Sequence, residues 1–402
     1  MIKNEVLPYP KEFFPLLKFF KSCFSDKRQF SNFCQISGGL VLSSSKYTVD
    51  RFSKMFVERD NSSLSKFLTR SPWDENKVKF RLHKMLSKSL PDLDVFIGDD
   101  TLSEKPFAKS MQGVDSHYSG LKKKHCMGHS IVTTGFYMEE GFIPFDGQMY
   151  LRKEKAEELE IPFKTKNQIM SEKVISASGT YKFKHVVFDS WYSNNIVIGA
   201  VKQVEKKFVT QIKSNRNVTI KRKKRLVRNH CKDVSLTKYF YRIINGNLFR
   251  YYETDGFISK VGTVRILYCQ MLIEEKDELK WSGMNYIATS DLESTSEFII
   301  KTYLKRNSIE PFHREAKQQL GMDKYQIGNY RGIERYLFLV ILVYALLMLL
   351  NTLLIQKGES RQTIGEIKTY LREDCYTNLL RKAKIQKIEV RQRIAKNLAY
   401  AL

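Results

Sequence analysis

One segment of this chain, from Tyr336 to Ile355, is apolar throughout except at Asn351 and Thr352. A helix of about 20 such residues either crosses a membrane or lies buried on all sides of a large domain. The segment lacks a Lys/Arg cluster on one flank and Trp residues on the other, and the sequence holds no second segment like it. We therefore predict a buried core helix in a globular protein that has no membrane partner.

The charge balance of the chain indicates a polyanionic partner. Its 68 Lys and Arg residues outnumber its 43 Asp and Glu residues, and the formal net charge is +25 at pH 7. An excess of this size attracts nucleic acid over long range, so nucleic acid is the first partner to consider. Charge alone leaves one alternative open, which is that the protein is basic because the whole proteome it comes from is basic.

The cysteines indicate a reducing cytoplasm, since the six are scattered without paired spacing and no signal-peptide pattern precedes them. His125, Cys126 and His129 form the only cluster that resembles zinc ligands. A zinc site needs four well-placed ligands, and the sequence shows no second group of Cys or His residues to complete this one. We predict that the cluster lies in a loop that runs into a strand.

Residues 1–90 are predicted to form a helical, basic DNA-binding region. Thr48–Val57 and Leu64–Arg70 have the apolar spacing of two short helices joined by a turn. That arrangement is typical of a helix-turn-helix DNA reader, although an ordinary helical hairpin fits the same pattern. The basic surplus of the region favours DNA.

Residues 91–213 change to a pattern of strands and helices. Five strands are predicted, with a long loop after the first, at Asp94–Gly98, Ile131–Tyr137, Phe142–Leu151, Phe183–Phe188 and Phe208–Lys213. Helices are predicted at 166–178, where Thr165 and Gln168 form a capping box, and at Asn194–Val204. Three antiparallel strands followed by a helix, a strand, a helix and a strand are the order of the ribonuclease-H-like fold, an α/β class with a mixed sheet.

Residues 214–293 depart from this core and are predicted to be a β-rich insertion. Its aromatic strands are Tyr239–Ile244, Leu248–Tyr252 and Thr263–Ile273, with Asn245-Gly246 as a hairpin turn. Seven Lys and Arg residues stand between Lys221 and Lys232. They fit either a solvated hairpin or a phosphate-binding edge, and the net charge favours phosphate contact.

Residues 294–356 are predicted to be the C-terminal helices of the core, and a capping box at Ser294 and Glu297 begins the first of them. Residues 357–402 are predicted to be a basic helical tail.

Four residues of the C-terminal helices are spaced by three, four and seven positions: Tyr303, Arg306, Glu310 and Lys317. Residues at these spacings return to one side of a helix. Pro311 and Gly321 also fit a fresh helix that starts at the proline and ends before the glycine. The four side chains are therefore expected on one face, or on two helical segments that meet at a kink.

Three carboxylates stand in an order that suits phosphoryl transfer. Asp99 and Asp189 each follow a predicted strand, where α/β sheets place their sites, and Glu310 lies on a late helix. Hard carboxylate oxygens suit Mg²⁺ or Mn²⁺, and two such ions activate an attacking oxygen and stabilise a leaving one. The set predicts a two-metal site.

The chain resembles the DDE transposases of bacterial insertion sequences, in the branch with the signature Y-(2)-R-(3)-E-(6)-K. That signature stands here as Tyr303, Arg306, Glu310 and Lys317, and the D-D-T of Asp99–Thr101 and the D-S-W-Y of Asp189–Tyr192 match as well. The resemblance covers roughly residues 90–350. Residues 1–90 agree only in kind, as a helical DNA-binding region.

The resemblance implies a role for each motif residue. Asp99, Asp189 and Glu310 would hold two metal ions, and Tyr303, Arg306 and Lys317 would contact the DNA phosphates and the transposon end. Asp99 is preferred over its neighbour Asp100 because it matches the D of the family's D-x-T pattern. A flipped base would be held by an aromatic residue, with Trp191 and Trp281 as candidates and ordinary packing as the alternative.

The implied activity is cleavage of double-stranded DNA at terminal inverted repeats, which leaves a 3′-hydroxyl that attacks target DNA. The implied setting is a homodimer on two DNA ends, in a prokaryotic cytoplasm at the nucleoid. The alternative is a catalytically inactive, domesticated derivative that only binds DNA.

Overall fold

The computed structural model describes residues 9–56, 58–90, 93–385, 395, 396, 398 and 399. The N-terminal part is helical, with α1 at Phe14–Lys18, α2 at Lys27–Leu42, α3 at Val49–Phe56, α4 at Asn61–Thr69 and α5 at Glu75–Ser89. The prediction of two short helices is confirmed by α3 and α4, whose apolar residues are buried. Val57, at the predicted end of the first, lies outside the described residues.

The central sheet has the predicted ribonuclease-H-like order. Its strands are β1 at Val95–Glu104, β2 at Asp115–Ser119, β3 at Lys124–Met138, β4 at Gly141–Tyr150, β5 at His185–Phe188 and β6 at Lys207–Gln211. Strand β3 pairs antiparallel with β1 and β4, whereas β5 pairs parallel with β1 and β6. Parallel pairing requires crossover connections, and helices supply them here. They are α6 at Lys153–Glu158 and α7 at Lys166–Ser178 before β5, and α8 at Asn195–Gln203 after it.

The predicted end of the first strand was wrong. Strand β1 continues six residues beyond Gly98 to Glu104, because β3 supplies ladder partners as far as the Glu104–Gly128 pair. Part of the predicted long loop is also strand, since β2 pairs with β3. The His125 to His129 cluster lies within β3 rather than in a loop, and the ring of His129 contacts Tyr325 Oη at 2.7 Å and the carbonyl of Gln112 at 2.9 Å.

The predicted helix at 166–178 is confirmed in its bounds and in its cap. The Thr165 side chain accepts from the backbone N–H of Gln168, and the Gln168 side chain accepts from the backbone N–H of Thr165. This reciprocal pair satisfies two donors that a helix start leaves free. The helix after β5 is confirmed as well, with Asn194 as its N-cap.

The insertion extends the central sheet. Its elements are β7 at Asn217–Ile220, β8 at Lys223–Leu226, α9 at Val227–Lys232, β9 at Phe240–Ile244, β10 at Asn247–Ile258, β11 at Gly262–Glu275, β12 at Glu278–Trp281 and β13 at Asn285–Thr289. Strand β13 pairs antiparallel with β6, so one sheet runs from β2 to β8. The turn at Asn245 and Gly246 has positive φ at both residues, 50° and 78°, as a two-residue hairpin requires. The basic run lies on the β7–β8 hairpin and on α9.

The last helices are α10 at Ser296–Leu304, α11 at Ile309–Leu320, α12 at Tyr330–Gln356 and α13 at Ile364–Ile385. Helix α12 contains the long apolar segment and is confirmed as a core helix, since 89% of its most apolar 18-residue window is buried. It packs against β4 and against α2, α4 and α5, so the N-terminal helices and the sheet share one core. Of the predicted tail, residues 386–394, 397 and 400–402 lie outside the described residues.

The capping box predicted at Ser294 and Glu297 was wrong by one residue. Thr295 caps α10 by accepting from the N–H of Phe298. The Ser294 hydroxyl instead donates to the buried carboxylate of Asp291 at 2.7 Å, and Glu297 pairs with Arg242 at 2.8 Å. Both residues are therefore already engaged elsewhere.

Candidate active site

Asp99 and Asp100 lie in mid-strand β1 and point to opposite faces of the sheet, because successive residues of a strand alternate. Helix α7 covers the face that Gly98 and Asp100 share, where Met170 leaves no room for a Cβ at Gly98. Asp99 points to the other face, towards the segment that joins α10 to α11. The structure thus separates the two adjacent carboxylates.

Asp189 directly follows β5, as predicted. The parallel register pairs Ile97 of β1 with Val187 of β5, which brings Asp99 and Asp189 side by side two residues further along. The Asp189 carboxylate accepts from the backbone N–H groups of Trp191 at 2.9 Å and Tyr192 at 3.4 Å. These bonds hold the carboxylate against its own turn.

Arg306 lies between two of the predicted acidic residues. Its guanidinium is 2.6 Å from the Asp99 carboxylate and 3.7 Å from that of Glu310. The Arg306 and Asp99 side chains are each 16% exposed, whereas that of Glu310 is 65% exposed. The Nε of Arg306 is buried without a hydrogen-bond partner among the described residues, so the guanidinium keeps a free donor at the site.

Burial is the main cause that raises the pKa of Asp99, to about 7. The Arg306 guanidinium opposes this rise, and the neighbouring carboxylates of Asp189 and Asp100 add to it. When carboxylates lie close together in a site that is shielded from water, their repulsion favours the protonated form of one of them. Burial and the neighbouring carboxylates therefore make the charged form of Asp99 less favourable than that of an exposed aspartate.

The four signature residues lie on two helices and on the short turn that joins them. Tyr303 ends α10, Arg306 lies in a 3₁₀ turn at Lys305–Ser308, and Glu310 and Lys317 are on α11. The two helical segments of the second alternative are therefore present, although Pro311 is the third residue of α11 rather than the first. Proline is tolerated there because the first N–H groups of a helix have no partner inside it. Gly321 directly follows the last residue of α11, as predicted, and has the left-handed conformation.

Tyr303 and Lys317 are held by the sheet at two different strands. The Tyr303 hydroxyl donates to the Gln211 side chain at 3.2 Å on β6. The Lys317 ammonium donates to the Leu102 carbonyl at 2.9 Å on β1. Within the described ranges, no ion pair joins Lys317 to Asp99, Asp189 or Glu310. Lys317 therefore lies on the same helix as Glu310, seven residues further on, and its ammonium bonds to β1 rather than to these carboxylates.

Carboxylate oxygens are the ligands that a hard divalent cation prefers, and the register of β1 and β5 brings the Asp99 and Asp189 residues side by side. Among the residues that the structure describes, no group of three or more His, Cys, Asp or Glu side chains is placed to hold a metal ion. The Arg306 guanidinium contacts both the Asp99 and the Glu310 carboxylates. Two of the three predicted ligands, Asp99 and Asp189, therefore lie side by side, and the guanidinium of Arg306 lies between Asp99 and the third, Glu310.

Residues outside the predicted set also surround the site. His313 Nε2 lies 2.6 Å from Thr133 Oγ1, and this hydroxyl lies 3.4 Å from the Asp99 carbonyl. Burial lowers the pKa of His313 strongly, so its ring is neutral. His313 stands inside the signature as E-x-x-H, three residues after Glu310, and that spacing was the available signal.

A cleft of about 730 Å³ adjoins Asp189 and is lined by residues of the turn after β5 and of the insertion. Its cations are Lys213, Arg216 and Lys224, and the Lys213 ammonium lies 5.4 Å from the ring centroid of Trp191. Trp191 is 58% exposed, so packing in the core does not explain this ring. Trp281 instead stacks under Arg250, 4.4 Å from its guanidinium carbon.

A ribonuclease-H-like sheet that brings two carboxylates together beside a basic cleft defines an enzyme of the nuclease and transposase type. The chain belongs to the DDE superfamily endonucleases, whose family model matches residues 19–230. The transposase DDE domain matches residues 167–346. The predictions of family and of enzyme class, a DDE transposase, are confirmed.

Similarity to two transposases, one in sequence and one in structure, agrees with this assignment. The chain is 24% identical over 345 residues to a probable transposase for insertion sequence element IS701 from Microchaete diplosiphon, covering 81% of this chain and 86% of that protein. Its structure is similar to that of the piggyBac transposase in a synaptic complex with hairpin DNA, with a TM-score of 0.52. That match covers 98% of this chain and 82% of the other at 11% identity, and it supports the fold.

Proposed function

We propose that this transposase cleaves double-stranded DNA at the terminal inverted repeats of its element and joins the resulting 3′-hydroxyl ends to target DNA. The observation that carries the proposal is the convergence of Asp99, Asp189 and Arg306, next to a basic cleft whose lining begins at Ser190, the residue after Asp189. The carboxylates supply oxygen ligands, and the guanidinium supplies a donor for a phosphate. Both are needed to place a phosphodiester for in-line attack.

In this proposal Asp99, Asp189 and Glu310 hold Mg²⁺ or Mn²⁺, two ions per site. When bound, these ions activate the attacking oxygen and stabilise the leaving one. Arg306 exchanges its carboxylate partner for the DNA phosphate, to which its planar donors are matched. Its buried, unpartnered Nε is the donor that the phosphate satisfies.

Tyr303 and Lys317 are proposed to contact the DNA from either side of Arg306. Each side chain is anchored by one hydrogen bond to the sheet, at Gln211 and at the Leu102 carbonyl. These anchors fix where the two side chains stand relative to Asp99 on the same sheet. Their proposed role is to orient the strand end, because the carboxylate pair lies beside Arg306 and not beside Lys317.

The region of residues 1–90 is proposed to bind the terminal repeats through α4. The exposed face of this helix carries Asn61, Ser62, Ser65 and Lys66, which include hydrogen-bonding groups of the kind that contact base edges and phosphates. A cleft of about 330 Å³ beside it is lined by four cations, Arg28, Arg59, Lys66 and Arg70. A second cleft of about 560 Å³ borders α4 on its other side and shares Arg70.

The proposed DNA contact at α4 is tested by charge reversal. Lys66→Glu and Arg70→Glu should weaken binding to terminal-repeat duplexes and reduce the dependence of log K on log salt by about one for each lost phosphate contact. Lys77→Glu, on the exposed side of α5, is the matched control and should bind as the wild type does. Equal binding by all three variants would move the DNA contact away from α4.

The proposed setting is a homodimer that pairs two DNA ends in the cytoplasm, and Trp191 is the proposed platform for a displaced base. The proposed boundaries are 1–90 for the DNA-binding region, 91–213 and 294–356 for the catalytic core, 214–293 for the insertion and 357–402 for the tail.

The decisive experiment compares cleavage of DNA that carries the element's own terminal repeats with and without Mg²⁺. We expect Mg²⁺-dependent cutting that is lost in Asp189→Asn and kept in Asp277→Asn, an isosteric change at an exposed turn. Specific DNA binding without any cutting would instead support the domesticated, inactive derivative. Cutting that persists in Asp189→Asn would overturn the site.

A further inference from the structure

The carboxylate of Asp100 is fully engaged, although it is adjacent to Asp99. One oxygen accepts from the Tyr192 hydroxyl at 2.9 Å, and the other accepts from the Lys166 ammonium at 2.6 Å and the Ser130 hydroxyl at 3.2 Å. A charge-assisted bond to an ammonium is among the strong hydrogen bonds in proteins. Asp100 therefore has a complete set of protein partners on the α7 face of the sheet.

Tyr192 connects Asp100 to Asp189. The Tyr192 side chain is fully buried and ends at Asp100, while its backbone N–H donates to the Asp189 carboxylate at 3.4 Å. The preceding residue, Trp191, donates to the same carboxylate oxygen at 2.9 Å. The turn that presents Asp189 is thus fixed at its far end by a hydroxyl–carboxylate bond to β1.

Lys166 fixes Asp100 in turn. It is the first residue of α7, whose capping box sets the start of that helix, and its ammonium also lies 5.5 Å from the ring centroid of Tyr150. The path from α7 to the catalytic turn runs through Lys166, Asp100, Tyr192 and Asp189. Every step is a hydrogen bond between residues of different elements or within the turn itself.

We propose that Asp100 is a positioning residue of the transposase and not a metal ligand. Through Tyr192 it holds the turn 189–192, and with it the Asp189 carboxylate and the ring of Trp191. The inference rests on the proposed function, in which Asp189 is a ligand. A displacement of about 1 Å at a catalytic group costs up to about 100-fold in rate, which sets the size of the effect.

The test uses the full-length chain, Mn²⁺ as the probe ion and a duplex of terminal-repeat sequence. Tyr192→Phe removes only the hydroxyl and keeps the buried ring, Asp100→Asn removes the acceptor charge, and the double variant combines them. Asp99→Asn is the matched comparison one residue away. Mn²⁺ affinity is measured by electron paramagnetic resonance, and the single-turnover cleavage rate and the DNA Kd are measured separately.

We expect Tyr192→Phe and Asp100→Asn to lower the cleavage rate by about 10- to 100-fold with an unchanged DNA Kd. The double variant should be no slower than the slower single one, because residues that act through one another are not additive. Both single variants should keep measurable Mn²⁺ binding, which Asp99→Asn should lose. Thermal melting of Tyr192→Phe near that of the wild type shows that a general loss of folding is not the cause.

Loss of Mn²⁺ binding in Asp100→Asn equal to that in Asp99→Asn would make Asp100 a ligand and overturn the inference. Additive effects in the double variant, or a wild-type rate in Tyr192→Phe, would overturn it as well. Failure of the proposed function looks different, because the wild-type chain would then neither bind Mn²⁺ at the site nor cut the duplex.

Discussion

Substitution of Arg335 by Met should strongly destabilise this protein. Arg335 is 1% exposed on α12, where it pairs with Glu75 and stacks over the Trp73 ring at 4.5 Å. Its guanidinium also donates to backbone carbonyls at the end of α4, Phe67 (3.1 Å) and Leu68 (3.3 Å), and in the α4–α5 connection, Ser71 (2.8 Å) and Trp73 (2.9 Å). Methionine fills a similar space and supplies none of these donors.

The size of the effect follows from the groups left without a partner. The Phe67 carbonyl keeps the Trp73 indole as a donor at 2.9 Å, so the other three carbonyls lose their side-chain donor. At about 1 kcal/mol for each of the three carbonyls, the lower end of the range for an unsatisfied buried group, and about 1 kcal/mol for the ion pair, whose Glu75 side chain is 33% exposed, we expect a loss of about 4 kcal/mol. At about 2.1 cal/mol/K per residue, this corresponds to a fall in Tm of roughly 5 °C.

The assay is urea unfolding followed by circular dichroism, with Arg331→Met as control. Arg331 lies one turn earlier on the same helix and is exposed, so its replacement should change the free energy of unfolding by less than about 0.5 kcal/mol. If Arg335→Met unfolds within about 1 kcal/mol of the control, the guanidinium does not hold the α4–α5 connection on the core and the reasoning fails.

Two further predictions concern pH and backbone conformation. Burial, as the largest cause, lowers the pKa of His83 to about 4, against 6.5 in the unfolded chain. Its contribution to stability is therefore complete above pH 6.5 and is lost as the pH falls towards 4, by at most about 3 kcal/mol. Urea midpoints at about pH 7.5 and about pH 5 should differ less in His83→Gln, and an unchanged difference would contradict this. Gly321→Ala should cost about 3 kcal/mol, since φ is 66° and a Cβ would collide with Tyr47. Gly358→Ala, with φ of 93° and open space, should show the smaller cost of strain alone in the same thermal melts, and equal costs would rule out the collision.

The sequence predicted the elements whose signals are local. The capping box at Thr165 and Gln168, the Asn245-Gly246 turn and the αL residue Gly321 depend on a few neighbouring residues, and all three are present. The apolar segment in α12 was also placed correctly, because only burial on all sides suits its composition. Such signals need no knowledge of distant partners.

Strand lengths and side-chain contacts that depend on pairing between distant segments could not be predicted from such local signals. Strand β1 runs past Gly98 because β3 supplies its ladder partners, although the Asp and Glu residues in this part of the strand are poor strand formers. The positions of Lys317 and Arg306 are set by the Leu102 carbonyl and by Asp99, more than 200 residues away in sequence. Spacing along a helix therefore does not predict which strand each of these side chains contacts.

The most direct test of the central claim follows the joining of a terminal-repeat end to target DNA. With Mg²⁺, wild-type protein and a labelled end that carries a 3′-hydroxyl, we predict a joined product that disappears when the end is dideoxy-terminated or when Asp99 is replaced by Asn. A joined product that persists in Asp99→Asn, or no joined product from wild-type protein bound to both DNAs, would contradict the claim that Asp99, Asp189 and Arg306 form the strand-transfer site.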